Sequence, residues 1–174
     1  MTDAAPDDRP HIVWLCTGNA ARSVMAALML GDRDPRFRAT GAGTHAIEGL
    51  PMSQRTRDAL AGFGLADPGH RSRQLTATHV AEASLVIAFE PDHVRYVRRL
   101  HPDGAGRTAS LPRLVRDLGP GPAPLDERIA SMSLATVELE EWEEVVDPAG
   151  GDAATFVACA TEVSELVDAL VRVL

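Results

Sequence analysis

Between His11 and Leu30 the chain changes character twice, and this constrains its fold more than any other feature. His11–Leu15 (HIVWL) is apolar, rich in strand formers and too short for a helix, which suits a buried strand. Cys16–Ser23 (CTGNAARS) follows; Gly18 and Asn19 both tolerate positive φ, so a tight loop is expected. Val24–Leu30 then offers strong helix formers, with no breaker before Gly31. Strand, loop and helix open the chain.

The pattern repeats. Phe37–Thr40 reads as a second strand, closed by a small-residue loop at Gly41–Thr44. Ser53 caps an expected helix to about Phe63, ended by Gly62 and Gly64. Leu85–Phe89 is another buried-strand run, and Pro91 suits the first turn of a helix reaching Leu100. Thr108–Leu111 reads as a last strand. Short strands alternating with helices predict an α/β fold: one domain, a parallel sheet of about four strands, and helices on both faces. The 174 residues suit a single domain.

Gly119–Pro124 (GPGPAP) interrupts the pattern without starting a second domain. Val137–Val146 carries five Glu around Trp142 and is read as a solvated helix face. Phe156, Ala160, Val163, Val167, Leu170 and Leu174 recur at helical spacing behind Asp152, a plausible N-cap. Residues 1–10 are acidic and Pro-containing, with no secretory pattern, so a flexible tail is expected before a domain spanning 11–174.

The net charge of −8 argues against a nucleic-acid partner. The longest apolar run, Val24–Leu30, has seven residues against the ~18 of a membrane span. Neither nucleic acid nor membrane is therefore expected as a partner, and a cytoplasmic location follows by default. Cys16 and Cys159 are read as free thiols, and the six His show no metal-ligand spacing, so no metal and no cofactor is expected.

The loop carries the chemistry. A Cys ends a strand, and an Arg lies six residues on, at a helix start. Helix N-termini offer free N–H groups and a partial positive charge. A Gly-containing loop there can cradle an oxyanion with the N–H groups of Thr17, Gly18, Asn19, Ala20, Ala21 and Arg22. Arg22 can grip phosphate in a bidentate manner. The same field favours a thiolate at Cys16, to which Ser23 can donate a hydrogen bond. The alternative is a buried, inert Cys beside an unrelated Arg.

CTGNAARS resembles the phosphate loop of the low-molecular-weight protein tyrosine phosphatase family. Gly41-Ala42-Gly43-Thr44 resembles that family's Ser-Ala-Gly-Thr, and His70–Thr76 (HRSRQLT) its His-Lys/Arg-Ala-Arg-Gln-Leu-Thr. Leu85–Glu90 resembles its strand ending in Met-Asp, and Asp147-Pro148 its late Asp-Pro. The resemblance covers about residues 11–115 and 145–174; residues 116–144 fit poorly and read as an insertion. It implies a phosphatase acting on phosphomonoesters, phosphotyrosine on proteins foremost, with inorganic phosphate as product. Cys16 would be the nucleophile, forming a cysteinyl-phosphate; Arg22 would hold the phosphoryl oxygens and Asp147 would be the acid. Asn19 would shape the loop, supported by His70 and Arg73. The substrate slot would lie between Ile47 and Ala149.

Departures from the family bear on substrate. Ala21 replaces the second Cys of many members, and Gly41 replaces the Ser that braces the loop Asn. Ala149 stands where tyrosine-specific members put an aromatic. Asp147-Pro148-Ala149-Gly150-Gly151 resembles the Asp-Pro-Phe-Gly-Gly of protein-arginine phosphatases, which use Thr at the position of Ala20. A protein-arginine or broad-specificity phosphatase is therefore an alternative. Arsenate reduction with an external small thiol and non-catalytic phosphate binding are two others.

Overall fold

The computed structural model describes residues 7–174; residues 1–6 of the expected tail lie outside the described residues. Four strands form one sheet: β1 (His11–Cys16), β2 (Arg38–Gly43), β3 (Leu85–Ala88) and β4 (Thr108–Ser110). Their order is β2-β1-β3-β4, and every neighbouring pair is parallel. The chain moves outward from β1 to β2 and then, past β1, outward again from β3 to β4. The strand order thus reverses between β1 and β3, and in such sheets ligands bind beyond the carboxyl ends of the strands at that point. Cys16 ends β1 there, with Glu90 two residues beyond β3.

Alternation along the strands divides the core. Ile12, Trp14 and Cys16 of β1 join Leu85, Ile87 and Phe89 on one face. Val13, Leu15 and Val86 face the other way, against Val80 and Val97. Helices α1 (Arg22–Arg33), α2 (Gln54–Ala61), α5 (Leu111–Asp117) and α7 (Ala153–Val171) cover the first face. The short α3 (Ala77–Glu82) and α4 (Pro91–Leu100) cover the second. Strands buried on both faces read as continuous apolar runs, as HIVWL does. Helix α7 packs on α1, α2 and α5, so the C-terminal apolar stripe closes the larger core. Asp152 caps α7 by accepting the Thr155 N–H at 2.9 Å, and Ser53 caps α2. Among the described residues no helix is long and apolar enough to cross a membrane.

Several expectations are corrected. Helix α1 starts at Arg22, as expected, but does not stop at Gly31: it runs on to Arg33, because tertiary packing of Met25, Met29 and Leu30 outweighs one glycine. Gly41–Gly43 is not a loop but the end of β2, paired with Trp14, Leu15 and Cys16. Leu111 begins α5 instead of ending β4. A short helix, α6 (Leu125–Ala130), lies within the segment that fits the family poorly. Val137–Val146 is not an α-helix: it has no regular structure apart from a 3-10 turn at Glu141–Glu143, and Glu143 is buried.

Candidate active site

The loop after β1 turns at Asn19, which has φ 51°. Its N–H points back at Cys16 Sγ, 3.2 Å away. Its side-chain Nδ2 donates to Ser23 Oγ at 2.9 Å. The Ser23 hydroxyl accepts there and keeps its own proton, which it can donate to Cys16 Sγ at 3.0 Å. The Asn19 N–H and the Ser23 hydroxyl thus converge on one buried sulfur.

The rest of Asn19 is fixed from outside the loop. Its Oδ1 accepts the Arg73 N–H at 3.0 Å. Its carbonyl accepts His70 Nε2–H at 2.8 Å and the Ser72 hydroxyl at 2.9 Å. Burial pushes the His70 imidazole below its ordinary value, so it is neutral at pH 7 with its proton on Nε2. His70 therefore meets the loop through its side chain, whereas Arg73 does so through its backbone; Ser72 is a contributor the sequence analysis missed. Gly41 makes the arrangement sterically feasible, since a Cβ there would lie 2.6 Å from Asn19 Nδ2. Thr56 on α2 also ties the loop, donating to the Ala20 carbonyl at 3.0 Å.

Arg22 opens α1 and is 1% exposed. Its Nη1 donates to Glu90 Oε2 at 2.7 Å and to the Val145 carbonyl at 2.8 Å. Its Nη2 donates to Asp147 Oδ2 at 2.8 Å. A guanidinium this buried requires such partners. Asp147 itself lies at the rim, with its side chain 40% exposed. Glu90 was given no role in the sequence; its signals were its place after β3, at the reversal of strand order, and its position at the end of the stretch that resembles the family's strand ending in Met-Asp.

The segment bearing Asp147 is held from two sides. The Val145 N–H donates to the Phe89 carbonyl at 2.7 Å. Glu143 accepts from Arg113 Nη2 at 2.6 Å, the Ser110 hydroxyl at 2.7 Å and the Glu140 N–H at 2.9 Å. Burial alone would raise the Glu143 carboxyl, but these hydrogen bonds outweigh it and hold it below its ordinary value. The acidic stretch is thus an anchored support for Asp147.

One cavity of about 220 Å³ brings Cys16, Gly18, Ala20, Ala21, Arg22 and Asp147 together. Ala149, Ser53, Thr56 and Phe156 complete its wall. Asn19 stands behind the loop, fully buried, and Thr17 faces a neighbouring cavity. Of the two expected slot residues only Ala149 lines this cavity; Ile47 is 68% exposed and lies outside it. Phe156 supplies the aromatic instead, from the first turn of α7, where helical periodicity marked it only as core. Among the described residues no group of three or more His, Cys, Asp or Glu is placed to hold a metal.

Comparison with known proteins places this geometry. The family model for low molecular weight phosphotyrosine protein phosphatase matches residues 11–119. The low molecular weight protein-tyrosine-phosphatase Etp of Escherichia coli K12 is 32% identical over 97 residues, 56% of this chain. That match spans 66% of Etp, slightly under two thirds of its length. A protein-arginine-phosphatase of Geobacillus stearothermophilus is 27% identical over 161 residues, covering 92% of this chain and 93% of that one. Among solved structures, the T. tengcongensis low molecular weight protein tyrosine phosphatase superposes with a TM-score of 0.77 at 25% identity, covering 95% of this chain and 99% of that one. The YwlE arginine phosphatase of G. stearothermophilus gives 0.74 at 27% identity, covering 92% and 90%. Since the matched model takes in the sheet, the Cys16 loop and α1 through α5, this chain belongs to the low molecular weight phosphotyrosine protein phosphatase family.

Proposed function

We propose that this protein is a cysteine-dependent phosphatase that hydrolyses phosphomonoesters, with phosphotyrosine on proteins as the leading substrate. The observation that carries this reading is the convergence of the Asn19 N–H and the Ser23 hydroxyl on Cys16 Sγ, within a cavity that also holds Arg22 and Asp147. The phosphate enters the cradle and takes Arg22 Nη2 from Asp147. Cys16 Sγ attacks phosphorus in line; the S–P bond forms, the ester P–O bond breaks, and the leaving oxygen takes its proton from Asp147. Asp147 then accepts a proton from water, whose oxygen attacks phosphorus and releases Cys16 and inorganic phosphate. Loop N–H groups from Thr17 to Arg22 and the Arg22 guanidinium hold the equatorial oxygens throughout. Two free thiols and a nucleophile that works only when reduced support a reducing compartment such as the cytoplasm.

Phosphoarginine is a second reading. It is favoured by the match to a named arginine phosphatase over 92% of this chain and by Gly150-Gly151 after Asp147-Pro148-Ala149. The test is hydrolysis of p-nitrophenyl phosphate, phosphotyrosine peptide and phosphoarginine, beside arsenate reduction with added thiol. Turnover that vanishes in Cys16→Ser supports the reading, and the preferred substrate decides between the two. Arsenate reduction without phosphatase activity, or phosphate binding without turnover, would overturn it. For Asp147→Asn we expect esters with poor leaving groups to slow by about 10²–10⁴-fold and good ones much less; equal slowing would remove Asp147 as the acid.

A further inference from the structure

A second cavity, of about 440 Å³, meets the loop at Thr17, between two residues that line the first. Fixed partners determine its hydrogen-bonding character. His93 is buried, and the Phe89 N–H donates to its Nδ1 at 3.4 Å. Burial, then the nearby charge of Arg22, pushes the imidazole down to about 3, so it is neutral with one proton, on Nε2. That proton goes to Thr17 Oγ1 at 2.9 Å. Thr17 therefore accepts from His93 and keeps its own hydroxyl proton to donate.

A second chain of bonds does the same for Tyr96. Gln74 Oε1 accepts the Ala46 N–H at 2.9 Å. Its Nε2 must then donate, to the Thr44 carbonyl at 2.8 Å and to Tyr96 Oη at 3.0 Å. Tyr96 accepts and likewise keeps a proton. Both hydroxyls line the cavity, with Arg99. The two carboxylates in its wall have cationic or N–H partners: Glu90 Oε2 meets Arg22 at 2.7 Å while its Oε1 lies 3.4 Å from His93 Nε2, and Asp92 pairs at 2.6 Å with Arg95, which lines the same wall. Arg99 has no carboxylate within ion-pair distance among the described residues.

Two hydroxyl donors and one uncommitted cation call for an acceptor-rich, anionic occupant. We infer that this cavity is a subsite for a carboxylate carried by the same substrate whose phosphate sits over Cys16, such as an acidic side chain beside a phosphorylated residue. The inference rests on the reading of Cys16 and Arg22 as the phosphate site. A second phosphate suits the cavity less well, since it would set a dianion against Glu90 and Asp92 with one free cation to offset it.

The test is binding of benzylphosphonates to the intact wild-type protein by calorimetry, with phenyl phosphate hydrolysis measured alongside. The 2-, 3- and 4-carboxybenzylphosphonates are each compared with the isosteric, neutral carbamoyl compound. At least one carboxy isomer should bind about tenfold tighter than its carbamoyl partner. The difference should close in Tyr96→Phe/Arg99→Gln and shrink at high salt, while plain benzylphosphonate binds both proteins equally. Equal affinity of carboxy and carbamoyl compounds in all three pairs would overturn the subsite, as would a difference that persists in the double variant. A phosphono-substituted benzylphosphonate binding tighter than its carboxy counterpart would overturn the choice of carboxylate. Should the affinity difference appear while phenyl phosphate is not hydrolysed, the phosphatase reading fails and the subsite stands. Absence of any benzylphosphonate binding overturns both.

Discussion

Asn19 satisfies every polar atom it has: N–H to Cys16, Nδ2 to Ser23, Oδ1 from Arg73, and its carbonyl from His70 and Ser72. The sulfur is therefore oriented by Asn19 and Ser23, and Asn19 is itself held by residues outside the loop. Gly41→Ser, which restores the residue the family resemblance leads one to expect, would place a Cβ 2.6 Å from Asn19 Nδ2. We expect a loss of stability of about 1–3 kcal/mol, with a fall in turnover larger than any change in phosphate affinity. Thermal melts and p-nitrophenyl phosphate kinetics read both; unchanged kinetics would show that Asn19 can shift without moving Ser23 off the sulfur. Arg22 gives a second contrast. Arg22→Ala leaves Glu90 and the Val145 carbonyl without their donor, so melting temperature and turnover should both fall. Arg22→Lys returns a charge without the planar fork; stability should partly recover, while turnover stays about 10²–10³-fold low.

The segment carrying Asp147 behaves as an element although it contains no regular helix. It is pinned by a strand-like bond from Val145 to Phe89 and by Glu143 against α5. Trp142 lies under Arg116, 3.6 Å from the guanidinium carbon to the ring centroid, and shields the Glu143–Arg113 pair. Breaking that pair should let Asp147 wander without disturbing the cradle. In Glu143→Ala we expect slower hydrolysis of esters with poor leaving groups and vanadate affinity close to wild type; a parallel loss of vanadate affinity would mean the segment also shapes the cradle. The folded-state carboxyl lies below its ordinary value of 4.5. Its contribution to stability is therefore fully present above 4.5 and lost as pH falls through the lower, folded value. The difference in melting temperature between wild type and Glu143→Gln should stay constant from pH 7 to 5 and close in acid. A gap that widens in acid would contradict the assignment.

At the scale of the whole molecule, α7 brings Cys159 into the same apolar core as Cys16, closer than their separation in sequence implies. Burial pushes the Cys159 thiol up to about 12, so it stays protonated and is a poor nucleophile toward an oxidised Cys16. Ala21 occupies the position before Arg22 where a resolving Cys would stand. Peroxide should therefore inactivate the protein by adding oxygen to Cys16, and without external thiol the damage should proceed to sulfinic and sulfonic acids. Phosphate in the cavity should protect. Intact-mass measurement after graded peroxide checks this; a two-hydrogen loss mapping to a Cys16–Cys159 bond, reversed by reductant, would refute it.

Strand–loop–helix at 11–30, the parallel α/β class and the α7 stripe were legible because apolar period and loop residues are local properties. The Cys16–Arg22 spacing was legible for the same reason: a strand end, a tight turn and a helix start lie within eight residues. Tertiary structure alone decided the rest. Gly41–Gly43 became strand because the β1 ladder was there to pair with. Glu143 went inside because Arg113, 30 residues away, offered a buried partner. Glu90 and Val145 joined the site as partners of Arg22, at the strand reversal between β1 and β3, and Phe156 joined it because the packing of α7 brings it to the cavity wall. A charge in the sequence reads as solvent-facing until a partner distant in the chain is known, since burial becomes affordable only once that partner is in place.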